Sequence, residues 1–271
     1  PLEKLGMSDE NLAKFKASVF KPYGLIIVVG PTGSGKTTTL HSAISYINTP
    51  ERKIWTAEDP VEITQEGLRQ VQINPKIGLN FATTLRSFLR ADPDVVMIGE
   101  MRDAETAHIG VQASLTGHMV FSTLHTNSAP ETVTRLLDMD LDPFNFADSL
   151  LCVVAQRLIK TLCSHCKESY RPDSQELKDL AREFGAGIER YVPQSGKITL
   201  YQAKGCGQCN QGYRGRTGVH ELMNTTVQLK NLIKRRSPTE EIREQAIADG
   251  MLTLKQDALL KSMLADVQLT Y

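Results

Sequence analysis

One octapeptide constrains this chain more than any other feature: Gly30-Pro31-Thr32-Gly33-Ser34-Gly35-Lys36-Thr37, a complete GxxxxGK[ST] phosphate loop. It stands where such a loop must stand. The apolar, β-branched run Leu25–Val29 precedes it and reads as a buried parallel strand. The segment opening Thr37-Thr38-Thr39-Leu40-His41 follows and reads as a helix. The glycines let backbone N–H groups wrap phosphates, and the helix N-terminus adds a favourable dipole. The expected nucleotide-binding residues are therefore Gly30, Thr32, Gly33, Ser34, Gly35, Lys36, Thr37 and Thr38. Lys36 is expected to reach the β- and γ-phosphates of ATP, and the Thr37 hydroxyl to ligate Mg2+.

The flanking pattern extends this start into a fold. Short strand candidates recur at Lys53–Thr56, Val95–Ile98 and Met119–Leu124, with helix candidates at Thr83–Arg90, Ala104–Ser114 and Pro130–Leu137. This alternation predicts an α/β fold with a parallel sheet wrapped by helices. Residues 1–20 read as one polar amphipathic helix, with Leu12, Phe15 and Val19 at helical spacing. After Lys160 the character changes to irregular spacing over 161–215, broken by a charged amphipathic helix at Asp173–Phe184. Residues 224–271 read as wholly helical, with punctuation at Ser237-Pro238-Thr239-Glu240 and Gly250.

A nucleotide hydrolase needs an acid that orders metal and a group that activates water. Asp94-Val95-Val96-Met97-Ile98-Gly99-Glu100 is an apolar strand that delivers Glu100 to the carboxyl edge of the sheet, where open α/β folds bind ligands. It reads as a Walker B strand with Glu in place of Asp. Glu58-Asp59-Pro60-Val61-Glu62 sets three carboxylates just past another strand end. Our assignment is Glu62 as base and Glu100, with Thr37, on the Mg2+ side; the alternative for either cluster is a solvated loop. In Thr116–Asn127 two histidines bracket a strand. His125 falls at its carboxyl end, on the nucleotide side, placed to sense the γ-phosphate; His118 falls at the opposite end. Arg86 and Arg90 lie one turn apart on one helix face, and Arg102 closely follows Glu100. Each is either an arginine finger serving a nucleotide, in some cases across a subunit boundary, or part of an ion-pairing surface.

Four of the five cysteines form Cys163-Ser164-His165-Cys166 and Cys206-Gly207-Gln208-Cys209. Two CxxC pairs of this kind predict a closed, structural Zn2+ site with four thiolate ligands. A thioredoxin-like redox role fits less well, because neither pair opens a helix after a strand. Cys152, inside Leu150-Leu151-Cys152-Val153-Val154, reads as a buried core thiol. Metal-binding cysteines also suit a reducing compartment.

These segments together resemble the type II/type IV secretion ATPase superfamily. The phosphate loop, Glu58–Glu62 (an aspartate box), Ile98-Gly99-Glu100-Met101-Arg102-Asp103 (Walker B) and Thr116–Asn127 (a histidine box) occur in that family's order over about residues 20–225. The paired CxxC motif is typical of its secretion (GspE-like) and pilus-extension (PilB-like) members; pilus-retraction members lack it. The resemblance implies a RecA-like core at 21–160, a zinc-binding tetracysteine subdomain at 161–215 and a helical C-terminal subdomain at 216–271. It also implies ATP, Mg2+ and Zn2+ as cofactors and a homohexamer. The expected location is cytoplasmic and peripheral at the inner membrane, docked to a platform protein and the assembly proteins of a secretion or pilus machine. Family members carry an upstream domain. The chain lacks an initiator Met and an apolar signal core, so it is expected to be cut from something longer, with residues 1–20 as the trailing linker. By itself it is expected to oligomerise weakly and hydrolyse ATP slowly.

Two other classes compete. A RecA-like helicase or DNA translocase would thread nucleic acid, but 31 basic against 31 acidic side chains supply no global basic field. No nucleic-acid partner is therefore expected. A scaffold that binds ATP without hydrolysing it is the other. A basic run at 230–236 reads as a solvated face.

Overall fold

The computed structural model of the chain describes residues 1–194, 196–264 and 266–268. In chain order the elements are α1 (Asp9–Val19), β1 (Gly24–Val29), α2 (Lys36–Ile47), β2 (Ile54–Glu58), β3 (Leu68–Gln72), α3 (Phe81–Leu89), β4 (Val95–Ile98), α4 (Ala104–Leu115), β5 (Met119–Leu124), α5 (Ala129–Leu137), α6 (Pro143–Ser149), β6 (Leu150–Leu162), β7 (Glu168–Tyr170), α7 (Ser174–Phe184), β8 (Leu200–Gln202), β9 (Tyr213–Asn224), α8 (Val227–Lys234), α9 (Thr239–Ala248) and α10 (Leu254–Met263). The chain divides into two units, Pro1–Gln156 with Glu221–Met251, and Arg157–His220 with Leu252–Tyr271.

The first unit is built on the strand order β3-β2-β4-β5-β1-β6-β9. β1 is an interior strand, parallel to both neighbours, with Ile27 opposite Ser122 of β5 on one side and Val153 of β6 on the other. All six of its residues are buried, which explains their unbroken apolar character. Because side chains alternate across a strand, Ile27 and Val29 join Val96 and Ile98 in one core, covered by α3, α4 and α5. Ile26 and Val28 join Val95 and Met97 in the other, covered by α1 and α2. The result is a three-layer α/β unit whose strand ends carry the loops of interest.

Several elements differ from the pattern reading. The helix expected over 1–20 is split into a 3-10 turn, Leu2–Lys4, and α1, because Gly6 takes a positive φ of 79° and the Ser8 side chain caps α1 by accepting from Asn11 N. The stretch after 160 is not wholly irregular, since β6 runs to Leu162 and β9 starts at Tyr213. The helical C-terminal run begins after β9 and breaks into α8, α9 and α10.

The second unit contains a short antiparallel pair, with Ser169 of β7 opposite Tyr201 of β8. The Asp173 side chain accepts from the Gln175 and Glu176 amides and so caps α7. Leu180 and Phe184 of α7 pack with Leu259 of α10.

Candidate functional site

The phosphate loop leaves β1 at Gly30, whose φ is 151°. A Cβ there would fall 2.4 Å from the Gln156 carbonyl oxygen and 2.7 Å from Ser34 Oγ, so the turn admits only glycine. Gln156 secures the loop from β6: its Nε2 donates to Ser34 O at 2.7 Å, and its Oε1 accepts from Thr39 Oγ1 at 2.8 Å. Gly33 and Gly35 have φ of 78° and 86°. Gly35 caps α2 without a side-chain acceptor, which leaves first-turn amides for a ligand. The Ser34 hydroxyl is buried without a hydrogen-bond partner. Lys36 Nζ donates to the carbonyls of Gly30 (2.9 Å) and Pro31 (3.0 Å), so the ammonium already sits on the loop. Burial pulls its pKa down, opposed by the charge of Glu100. This open, donor-rich cradle fits a polyphosphate. Thr32, Gly33 and Thr38 are exposed on it.

Thr37 faces Glu58, Asp59, Glu62, Glu100 and Arg102 across one pocket. The four acids have different settings. Glu58 is the last residue of β2 rather than part of the loop beyond it, and is 3% exposed. It meets His41 Nε2 at 3.0 Å and accepts from Thr56 Oγ1 (2.6 Å) and Gln70 Nε2 (3.0 Å). Burial raises its pKa, but these partners, His41 foremost, bring it below the usual carboxylate value. Glu100 follows β4, where its Oε2 accepts from Arg102 Nε at 2.5 Å and its Oε1 lies 3.3 Å from His125 Nε2. Arg102 Nη1 also lies 3.7 Å from Asp59 Oδ2. The hydrogen bond to Glu100 raises the Arg102 pKa. Glu62 is exposed at the pocket and makes no hydrogen bond or ion pair among the described residues. Gly99 brings the strands close, since a Cβ there would lie 3.0 Å from Ala57 O.

The structure thus brings together the phosphate loop, Glu62, Glu100, Arg102 and His125. Arg86 instead pairs with Glu105 at 2.6 Å on the surface, and Arg90 reaches Ser87 Oγ at 3.4 Å; neither lines the pocket. His118 bonds Ala113 O at 2.9 Å. The sequence reading missed His41, Gln70 and Gln156. Each pairs across 12 or more positions with a polar partner, and no local pattern marks such pairs.

The second unit holds the cysteines. The four Sγ atoms lie within 4.8 Å of one another. Cys163–Cys206 is 4.0 Å, Cys166–Cys209 3.7 Å and Cys206–Cys209 3.6 Å. A tetrahedron of ~2.3 Å Zn–S bonds has edges of about 3.8 Å, so the four thiols fit zinc. Cys163 N donates to Gly212 O at 2.8 Å. Gly212 has a φ of 88°, and a Cβ there would meet Ala203 Cβ at 2.5 Å. Burial raises the Cys209 pKa, but hydrogen bonds at Cys206 and Gly212 outweigh it and bring the thiol down to about 7. Cys152 is buried, and burial pushes its thiol up to about 12.

The family model described as type II/IV secretion system protein matches residues 1–270. The type IV pilus assembly ATPase PilB of Myxococcus xanthus is 49% identical over 97% of this chain and 45% of its own length. The type II secretion system protein E of Pseudomonas aeruginosa is 48% identical over 92% of the chain and 48% of its own. The chain therefore spans about half the length of these relatives. Among solved structures, the ADP-bound pilus retraction motor PilT matches with a TM-score of 0.68 and 27% identity over 99% of this chain and 64% of its own. The Legionella pneumophila ATPase DotB shares the fold, with a TM-score of 0.67 and 22% identity over 98% of this chain and 62% of its own.

Proposed function

We propose, from the premise that this chain belongs to the type II/IV secretion system protein family, that it is the ATP-hydrolysing part of a motor driving assembly of pilin-like subunits in type IV pilus biogenesis or type II secretion. The observation that carries this reading is the single pocket in which Thr37, at the start of α2, faces Glu62 and Glu100. ATP supplies the scissile phosphoanhydride, and Mg2+, when bound, would supply charge neutralisation to its phosphates. The loop amides and Lys36 bind and orient the phosphates, while Thr37 and Glu100 hold the metal side. Glu62 is the base: of the four pocket acids it is the one with no partner among the described residues, so its carboxylate is free to take a proton from water. His125, beside Glu100, senses an occupied pocket. Arg102 holds Glu100 and Asp59 until nucleotide competes for it. Arg86 and Arg90 serve a neighbouring subunit's site once the ring forms.

In the wider assembly we place residues 1–20 as the linker from an upstream domain, 21–160 as the RecA-like core, 161–215 as the zinc subdomain and 216–271 as the C-terminal part, which is helical only after β9. The full protein works as a homohexamer on the cytoplasmic side of the inner membrane, docked to a platform protein. Among the described residues no helix is long and apolar enough to cross a membrane. The equal counts of basic and acidic residues lend no support to a nucleic-acid motor.

The test is Mg·ATP binding and hydrolysis by the full protein. Lys36→Ala weakens binding, whereas Glu100→Gln binds ATP but hydrolyses it at least about tenfold more slowly. Binding without hydrolysis by the unaltered protein would leave a scaffold and sink the motor.

A further inference from the structure

The turn that carries Asp59 and Glu62 is anchored by a residue to which the mechanism above gives no part. His41 lies on α2, one turn beyond Thr37, and its side chain is 2% exposed. On one side it meets Glu58 Oε2 at 3.0 Å, at the start of the acidic turn. On the other it meets Gln65, just past the turn's end: Gln65 Nε2 lies 2.9 Å from His41 Nδ1 and 2.9 Å from His41 O. That amide donates to the backbone carbonyl and to Nδ1, so Nδ1 is an acceptor. The ring proton is then on Nε2, which donates to Glu58.

Gln70 closes the ring of contacts. It donates to Glu58 Oε1 (3.0 Å) and Ile63 O (2.8 Å), and accepts from the backbone N–H of Gln65 at 2.9 Å. Glu58, Ile63 and Gln65 are therefore tied into one polar network, half-buried at Ile63, Gln65 and Gln70, that starts on the phosphate-loop helix. Asp59 and Glu62 hang between these ties. Helix α2 is itself fixed to the loop through Thr39 and Gln156.

We propose that His41 is a positioning residue: acting through Glu58 and Gln65, it sets the distance from the acidic turn to the phosphate loop. This rests on the ATPase reading above. A base must lie within hydrogen-bond reach of the water it activates. A polar side chain is expensive to bury, and an apolar one of similar size would fill this space without holding either end of the turn.

The experiment compares His41→Leu, His41→Gln and Gln65→Met with the unaltered full protein, measuring kcat, Mg·ATP affinity and melting temperature. We expect His41→Leu to lower kcat roughly 10- to 100-fold, as for a misplaced catalytic group, with Mg·ATP affinity little changed. His41→Gln keeps a donor to Glu58 and recovers most of the rate; Gln65→Met gives a smaller loss. A His41→Leu protein that folds and turns over like the unaltered one overturns the proposal. So does a loss of affinity in step with kcat, or a Gln variant no better than Leu, each of which marks a merely structural role. If His41→Leu does not fold, an unchanged kcat in Gln65→Met overturns it. A protein that fails to hydrolyse ATP before any substitution sinks the motor reading first, and this proposal with it.

Discussion

The phosphate loop and the cysteine cluster are both chelating arrangements, yet they stand on opposite foundations. The loop springs from a strand with all six residues buried, between two apolar cores that draw on eight helices and most of the sheet. The apolar cluster of the second unit is Leu180, Phe184 and Leu259, with a few partly buried neighbours. Leu162, Leu200, Val219 and Val267 are buried in this unit as well. The phosphate cradle of the first unit rests on its apolar cores, whereas we expect the second unit to rest in addition on metal held by its four thiols.

The largest effect that could break this contrast is metal removal. Structural zinc contributes on the order of 10 kcal/mol to small tetracysteine folds. A strong chelator, or Cys163→Ser, is therefore expected to abolish hydrogen-exchange protection across 163–212 while the β1 and β5 amides stay protected. Equal loss in both regions would break the contrast.

Acid should act next, and again on the second unit first. His220 is 1% exposed, and burial, followed by the nearby Lys261 ammonium, brings its pKa from 6.5 to about 3. A depressed histidine makes the unfolded chain the better proton binder between those values. Its contribution is thus full above pH 6.5 and is lost as pH falls toward 3, by at most ~1.4 kcal/mol per pH unit. Melting temperatures of the unaltered protein and His220→Asn between pH 7 and 5 should show a steeper fall in the former. Glu58, with its pKa lowered, keeps its contribution down to lower pH.

Gly30→Ala strikes the first unit. Its Cβ would meet a backbone oxygen at 2.4 Å, so neither partner can move cheaply. We expect a loss of about 3 kcal/mol by denaturant titration of the first unit, with zinc still bound at one per chain. Smallest is Arg86→Ala, which removes an exposed pair with Glu105 and should change stability by less than about 0.5 kcal/mol.

The two foundations also explain what the sequence disclosed. Apolar strands flanking motif glycines marked β1, β4 and β5, and the CxxC spacing marked the thiols, because both signals are local. β6 was not read as a strand: only the core burial around Cys152 was expected, and past Gln156 its buried run gives way to exposed and half-buried positions. β9 opens Tyr-Arg-Gly-Arg-Thr-Gly, a run that reads as loop. Glu58 was read as one of three loop acids, yet it ends β2 in a buried network. What hid this is that its partners His41 and Gln70 lie 17 and 12 positions away. Arg86 lies on α3, but Arg90 is the C-cap residue just past it, and neither reaches the pocket, because spacing alone does not say what a side chain meets.

Glu62, a carboxylate without a partner among the described residues, is proposed to take the proton from the water that attacks ATP. In single-turnover hydrolysis by the full protein, Glu62→Gln is expected to take up Mg·ATP as the unaltered protein does and to retain it uncleaved, at least about a hundredfold longer. Cleavage at the unaltered rate would contradict it and move the base to another of the pocket acids.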